Sequence, residues 1–85
     1  MTPEELTAKI RQHLPDAEVL TQDLTGTEDH WQVTVISTWF EGKRLLQQHR
    51  KVKDALSEAL KNRTLHALTL KTYTPSRWAQ HNASN

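Results

Sequence analysis

The stretch Leu65 to Trp78, LHALTLKTYTPSRW, restricts what this chain can fold into more than any other. From Leu65 to Tyr73 the residues alternate with the period of two that marks a half-buried strand. His66, Leu68, Leu70 and Thr72 share its more apolar face, and Leu65, Ala67, Thr69, Lys71 and Tyr73 share the other. Thr74 and Pro75 then stop the strand and open a helix, threonine as N-cap and proline at the first helical position. The preceding residues read as scaffold built around this segment. A strand that presents a histidine ahead of a capped helix is a candidate ligand site.

The scaffold begins with a helix. Thr2-Pro3-Glu4-Glu5 has the residues of a capping box, Leu6, Ile10 and Leu14 form one apolar stripe, and Pro15 ends the segment. His13, in the last turn, suits the negative end of the helix dipole. Ala17 to Gln22 reads as a first strand and residues 25–29, TGTED, as a turn around Gly26. Trp31 to Ser37, WQVTVIS, is the richest strand in β-branched residues. Trp31, Val33 and Val35 point one way, and His30, Gln32, Thr34 and Ile36 the other. The two strands are predicted to form a hairpin with His30 at its edge near the loop.

Thr38 to Gly42, TWFEG, breaks the pattern, and the period then becomes helical. Leu45 and Leu46 are assigned to a short first segment. Val52, Ala55, Leu56, Ala59 and Leu60 follow at helical spacing, as in a helix packed on a sheet. Asn62-Arg63-Thr64 closes that helix. A last short helix from Pro75 brings Trp78 back to the body, and residues 82–85, NASN, are expected to fray. The order is α-β-β-α-α-β-α in one domain over residues 1–81, an α/β (α+β) chain. Its three-stranded sheet packs against helices. It is expected to be mixed, because the last strand returns through a helical crossover and so runs parallel to its neighbour.

Composition narrows the chemistry. Among the 85 residues there is no cysteine, which removes disulfides, thiol catalysis and cysteine-ligated metal sites. No apolar run approaches the roughly 20 residues needed to span a bilayer, and acidic residues stand at the N-terminus where a signal peptide is basic. A cytoplasmic protein is expected. The net charge of +1 conceals an asymmetry: residues 1–30 carry seven acids against Lys9 and Arg11, a balance of −5. Residues 41–63 carry seven bases against three acids, a balance of +4. That basic half reads first as a solvated helix surface, and second as a surface for an anionic partner. No Ser-His-Asp spacing, phosphate loop or dinucleotide fingerprint is present, so an enzyme is not expected.

Two segments together resemble the BolA family. Phe40-Glu41-Gly42 with His49-Arg50-Lys51-Val52 looks like the family's F-x-G … H-R-x-V signature, and Leu65 to Pro75 is close to its H-A-L … K-T-Y-T-P segment, with Trp78 following. The strand from His30 to Ser37 is also similar. Gln48 and Lys53 depart from the usual residues at their positions. The resemblance implies a topology similar to class II KH domains. It implies a monothiol glutaredoxin as partner, with which a bridged two-iron, two-sulfur cluster is shared together with glutathione. None is then held by the isolated protein, a monomer or weak dimer when free. On the resemblance His66 matches the C-terminal histidine ligand, and His30 is the candidate for the second, which the family places in the loop between the first two strands. Lys71, Tyr73, Thr74 and Pro75 are candidates for the partner surface.

Plainer readings stand beside these. On its own, His66 reads as a half-buried histidine bonded to backbone, His30 as a sheet-edge residue held by acids, and Pro75 as a helix start. His49 is expected to cap or to hydrogen-bond to the Gly42 turn. Imidazole can replace thiolate on one iron of a cluster, but a site with histidine alone must share it. The alternative function is a KH-like, nucleic-acid-binding transcriptional regulator that uses Lys43, Arg44, Arg50, Lys51 and Lys53. KH domains clamp the backbone with G-x-x-G, and here Gly42-Lys43-Arg44-Leu45 supplies only the first glycine.

Overall fold

A computed structural model describes residues 1–28, 30–62, 65 and 67–83. The first helix, α1 (Pro3–His13), starts where its capping residues require. The Thr2 hydroxyl accepts from the Glu5 N–H at 3.2 Å, and the Glu5 carboxylate accepts from the Thr2 N–H at 3.4 Å. Leu6, Ile10 and Leu14 are buried as one stripe, the last of them one residue beyond the helix.

Strand β1 (Glu18–Asp23) begins one residue later than the alternation suggests, because the Ala17 N–H is taken by the Leu14 carbonyl at 3.0 Å. It pairs antiparallel with β2 (His30–Ile36), from Glu18 opposite Ile36 to Asp23 opposite Trp31. Strand β3 (Ala67–Tyr73) lies parallel to β2 on its other side, with Ala67 opposite His30 and Tyr73 opposite Ile36. The sheet order β1-β2-β3 is mixed, as the crossover argument requires. Leu65 does not belong to the ladder as expected. Its N–H donates to the Ala59 carbonyl at 3.1 Å, and its side chain is buried.

Trp31, Val33 and Val35 face the helices and join Leu6, Ile10, Leu14, Phe40, Val52, Leu56 and Ala59 in the core. Thr34 and Ile36, on the opposite face of β2, are buried as well, since a central strand has neighbours on both sides. After β2 a single 3₁₀ turn, Thr38–Phe40, is capped by the Ser37 hydroxyl, which accepts from the Trp39 N–H at 3.1 Å. Gly42 follows at φ +72°, a left-handed conformation that glycine enters without a Cβ penalty.

The long helical region divides differently from the reading above. Leu45 and Leu46 open α2 (Leu45–Ala55) and stay 61% and 69% exposed, instead of forming a segment of their own. The break falls at Leu56, whose N–H is shared between the Val52 and Lys53 carbonyls, and α3 (Ser57–Lys61) continues beyond it. Val52, Leu56 and Ala59 remain buried across the break, so the apolar stripe conceals it. Arg63 and Thr64 lie outside the described residues. Helix α4 (Pro75–Ala83) runs through Asn82 and Ala83, into the stretch expected to fray. Among the described residues no helix is long and apolar enough to cross a membrane.

Candidate functional site

His30 is the first residue of β2, half-buried, with Ala67 as its partner across the parallel ladder. Its carbonyl accepts from the Leu24 N–H at 2.9 Å and closes the loop between β1 and β2. That loop is held from within. The Asp23 carboxylate accepts from the N–H groups of Thr25 (3.2 Å), Gly26 (2.9 Å) and Glu28 (3.0 Å). The Trp31 indole N–H donates to the Glu28 carbonyl at 3.0 Å, and the Met1 amino group donates to the same oxygen. Glu28 itself sits at φ +59°, a conformation costly for a residue with a Cβ, and these bonds keep it there. His30 therefore stands at the end of β2 beside residues 24–28, which these bonds hold in place. His66 lies outside the described residues; it is bonded in the chain to Ala67, the residue opposite His30.

The proposed partner-binding residues lie at the other end of β3. Tyr73 ends the strand, and its carbonyl accepts from the Ser37 N–H at 3.1 Å. The Thr74 hydroxyl accepts from the Arg77 N–H at 3.3 Å and starts α4 at Pro75. The Tyr73 ring packs on Trp78 at 5.2 Å and on His81 at 5.3 Å, which docks α4 to the strand end. With a rise of about 3.3 Å per residue, His30 and Tyr73 stand about 20 Å apart along the parallel pair. Sequence proximity of these residues to His66 does not make one compact cluster with His30. What joins the two ends is β3 itself, an edge strand.

His49 was expected to bind the Gly42 turn, but its neighbour Gln48 holds that position. Gln48 is 9% exposed, and its amide donates to the Phe40 carbonyl at 3.2 Å and to the Lys43 carbonyl at 2.9 Å. Its carbonyl oxygen accepts from the Thr72 hydroxyl at 2.6 Å, tying α2 to the exit of β3. Sequence reasoning missed Gln48, although a signal was present: it is a polar residue at the i−4 position of Val52, on the buried stripe. His49 instead lines a cavity of about 280 Å³ with Leu45, Leu70, Lys71, Thr72 and Tyr73. Burial, and after it the nearby Lys53 ammonium, hold its imidazole below the ordinary value of 6.5.

The basic residues do not form one stripe. The Lys43 and Lys51 ammonium groups sit over the Trp39 ring, 4.7 Å and 5.0 Å from its centre. Such contacts hold the two lysines against an exposed aromatic ring. At about 3.6 residues per turn, Lys53 falls on nearly the opposite side of α2 from Lys51, with the buried Gln48–Val52 face between them. Arg44 and Arg50 are exposed elsewhere on the helix. Among the described residues no group of three or more histidine, aspartate or glutamate side chains is placed to hold a metal ion.

Asp16 anchors the turn that leads out of β2. Its carboxylate accepts from the hydroxyl groups of Ser37 and Thr38, both at 2.7 Å, and from the Thr38 N–H at 2.9 Å. The Thr38 and Ser37 hydroxyls, with the Thr38 N–H, hold its pKa below the ordinary 3.8. Because the folded-state value is the lower one, this stabilisation is present above 3.8 and is lost as pH falls through that value toward the folded pKa. Asp16→Asn is expected to cost about 1 kcal/mol at pH 7, discounted for its exposure. Urea titrations at pH 7 and pH 3 check this: the difference between wild type and variant is expected to shrink at pH 3.

A family model described as BolA-like protein matches residues 2–77. The chain is 40% identical over 77 residues to BolA-like protein 2 of Mus musculus, covering 88% of this chain and 87% of that one. It is 44% identical over 57 residues to the DNA-binding transcriptional regulator BolA of Vibrio cholerae, covering 67% of this chain but only 53% of that protein. The solution structure of the BolA1 protein of Mus musculus superposes with a TM-score of 0.78 at 33% identity, covering 96% of this chain and 73% of that one.

Proposed function

The chain belongs to the BolA-like family, and on that premise we propose that it is an adaptor which binds a monothiol glutaredoxin and shares a bridged two-iron, two-sulfur cluster with it. Proteins of this family are not enzymes. The role would lie in iron–sulfur trafficking or in iron and redox sensing, with His66 and His30 as the ligands this chain contributes.

The observation that carries the reading is the position of His30, at the fixed end of β2 and opposite the first residue of β3. The donor set fits a shared group. With no cysteine in the chain, imidazole is the cluster ligand it can bring to this edge, so thiolate must come from the partner. When bound, the cluster supplies one-electron chemistry and transferable iron and sulfide. The chain's own residues supply orientation. Asp23 and Trp31 hold the loop, the Leu24 N–H and the pairing with Ala67 hold His30, and Gln48 with Thr72 holds the far end of β3. A partner lying along β3 would meet Lys71, Tyr73, Thr74 and Pro75 at that far end.

Calorimetric titration of this protein into a monothiol glutaredoxin tests the partnership. Wild type is expected to form a complex. Lys71→Glu, at an exposed position, is expected to weaken it about tenfold, the equivalent of about 1.4 kcal/mol. Absence of any complex would overturn the reading. The similarity to the Vibrio relative, a DNA-binding transcriptional regulator, favours DNA as the second reading. Binding of this chain to duplex DNA that weakens steeply with salt, with no glutaredoxin complex, would move the assignment there.

A further inference from the structure

The exposed apolar side chains of this protein are not scattered. Among the described residues five large ones stay exposed, and three of them, Trp39, Leu45 and Leu46, fall in the short run of chain that leads from the 3₁₀ turn into α2. Every residue from Glu41 to Gln47 is exposed as well, and Gly42 turns the chain within that run. The segment is a protrusion that carries apolar side chains outward. Each of those side chains has a base beside it. The ammonium groups of Lys43 and Lys51 sit over the Trp39 ring. Arg44 directly precedes Leu45, and Arg50 lies one turn beyond Leu46 on the same side of α2. Residues 38–53 carry five bases, Lys43, Arg44, Arg50, Lys51 and Lys53, against Glu41 alone, a balance of +4.

We propose that this tip, formed by Trp39, Leu45 and Leu46 with the bases around them, is a peripheral attachment site for an anionic lipid surface. The charge calls for an anionic occupant, and the apolar side chains select a bilayer among the anionic ones. Leu45 and Leu46 are consecutive in the first turn of α2, so they point about 100° apart. A pocket in a folded partner receives one such direction, whereas a fluid acyl layer receives both. A phosphate backbone offers neither leucine an apolar contact, so the pair adds nothing to DNA held by its phosphates. At the head-group boundary leucine and indole enter the edge of the acyl layer, while lysine and arginine keep their charge among the phosphates. That is the alternation of apolar group and base which the tip presents. The attachment lies on the membrane and does not span it. It does not rest on the glutaredoxin reading, and the leucines separate it from the DNA reading, which uses the same bases.

The test mixes the whole chain, labelled with ¹⁵N, with vesicles of phosphatidylcholine alone or of phosphatidylcholine with about one third phosphatidylserine, each with a trace of spin-labelled lipid. Wild type is expected to partition onto the anionic vesicles at least about tenfold more strongly than onto the neutral ones. The amides of residues 43–46 and the Trp39 indole N–H are expected to broaden first. Leu46→Ser, at a position 69% exposed, is expected to lower the partition about tenfold. Lys43→Ala is expected to lower it about fivefold. Thermal unfolding checks that both variants keep the fold, and Leu46→Ser is expected to bind duplex DNA as wild type does. The proposal is overturned if wild type partitions alike onto both vesicles or onto neither, or if other amides broaden. It is also overturned if Leu46→Ser partitions as wild type does. A Leu46→Ser protein that loses duplex DNA together with the vesicles would overturn it too, in favour of nucleic acid at the tip.

Discussion

Trp31→Ala is expected to lower the unfolding free energy by about 3–5 kcal/mol, the largest loss for a single position near the candidate site. Trp31 is 2% exposed in the centre of the core, so truncation removes its apolar contacts and leaves a cavity. A chain of 85 residues has a total stability on the order of 4–13 kcal/mol, so the variant would hold little margin. The indole also does local work. Without its N–H, the Glu28 carbonyl keeps the Met1 amino group as its donor among the described residues, and the left-handed Glu28 loses one of its restraints. Trp31→Phe separates the two effects. It keeps most of the buried ring and is expected to cost about 1–2 kcal/mol, with faster exchange at the amides of Thr25, Gly26 and Glu28. Urea unfolding measures the first effect and amide exchange the second. Trp31→Phe with an unchanged loop would show that the remaining bonds, from Asp23, Met1 and Leu24, set the loop conformation without the indole N–H.

Gln48→Leu is expected to cost about 2–3 kcal/mol. Leucine fits the volume, but three hydrogen bonds disappear together. The Phe40 carbonyl retains the Lys43 N–H as a donor, whereas the Lys43 carbonyl and the Thr72 hydroxyl lose their partner. Both are partly buried, and leaving such groups unmatched costs more than a made bond returns. Gln48→Glu is the informative companion, since it keeps an acceptor for Thr72 but offers no donor to the two carbonyls. It is expected to be as destabilising as leucine at pH 7, and thermal unfolding of the pair checks this. If both variants are as stable as wild type, α2 is held to β3 by apolar contact alone.

These two positions show what the sequence made legible and what it did not. Trp31, Val33 and Val35 declared their face because burial on one side of a strand imposes a period of two. The parallel return of β3 followed instead from the helical crossover that leads into it. Gln48 showed itself only by its place on the buried stripe, four residues before Val52; its partners, the carbonyls of Phe40 and Lys43, are evident only in the fold. Asp16 was obscure for a similar reason: its partners, Ser37 and Thr38, are more than twenty residues away. The helix break at Leu56 carried no glycine or proline, and an uninterrupted apolar stripe ran across it. At the site, the sequence named Lys71, Tyr73, Thr74 and Pro75 as a partner surface without showing that the strand sets Tyr73 about 20 Å from His30. The resemblance in the Leu65–Pro75 segment supplied the ligand assignment, which no periodicity of the chain contains.

The central claim is that His66 and His30 are this chain's contribution to a cluster shared with a glutaredoxin. Its most direct test is visible circular dichroism of a cluster-loaded monothiol glutaredoxin as this protein is added, with His66→Ala and His30→Ala run beside wild type. Wild type is expected to reshape the cluster bands, His66→Ala to leave them as they are while still forming a complex, and His30→Ala to give a third, distinct spectrum. A wild-type titration that leaves the bands unchanged, or a His66→Ala titration indistinguishable from wild type, would contradict the claim.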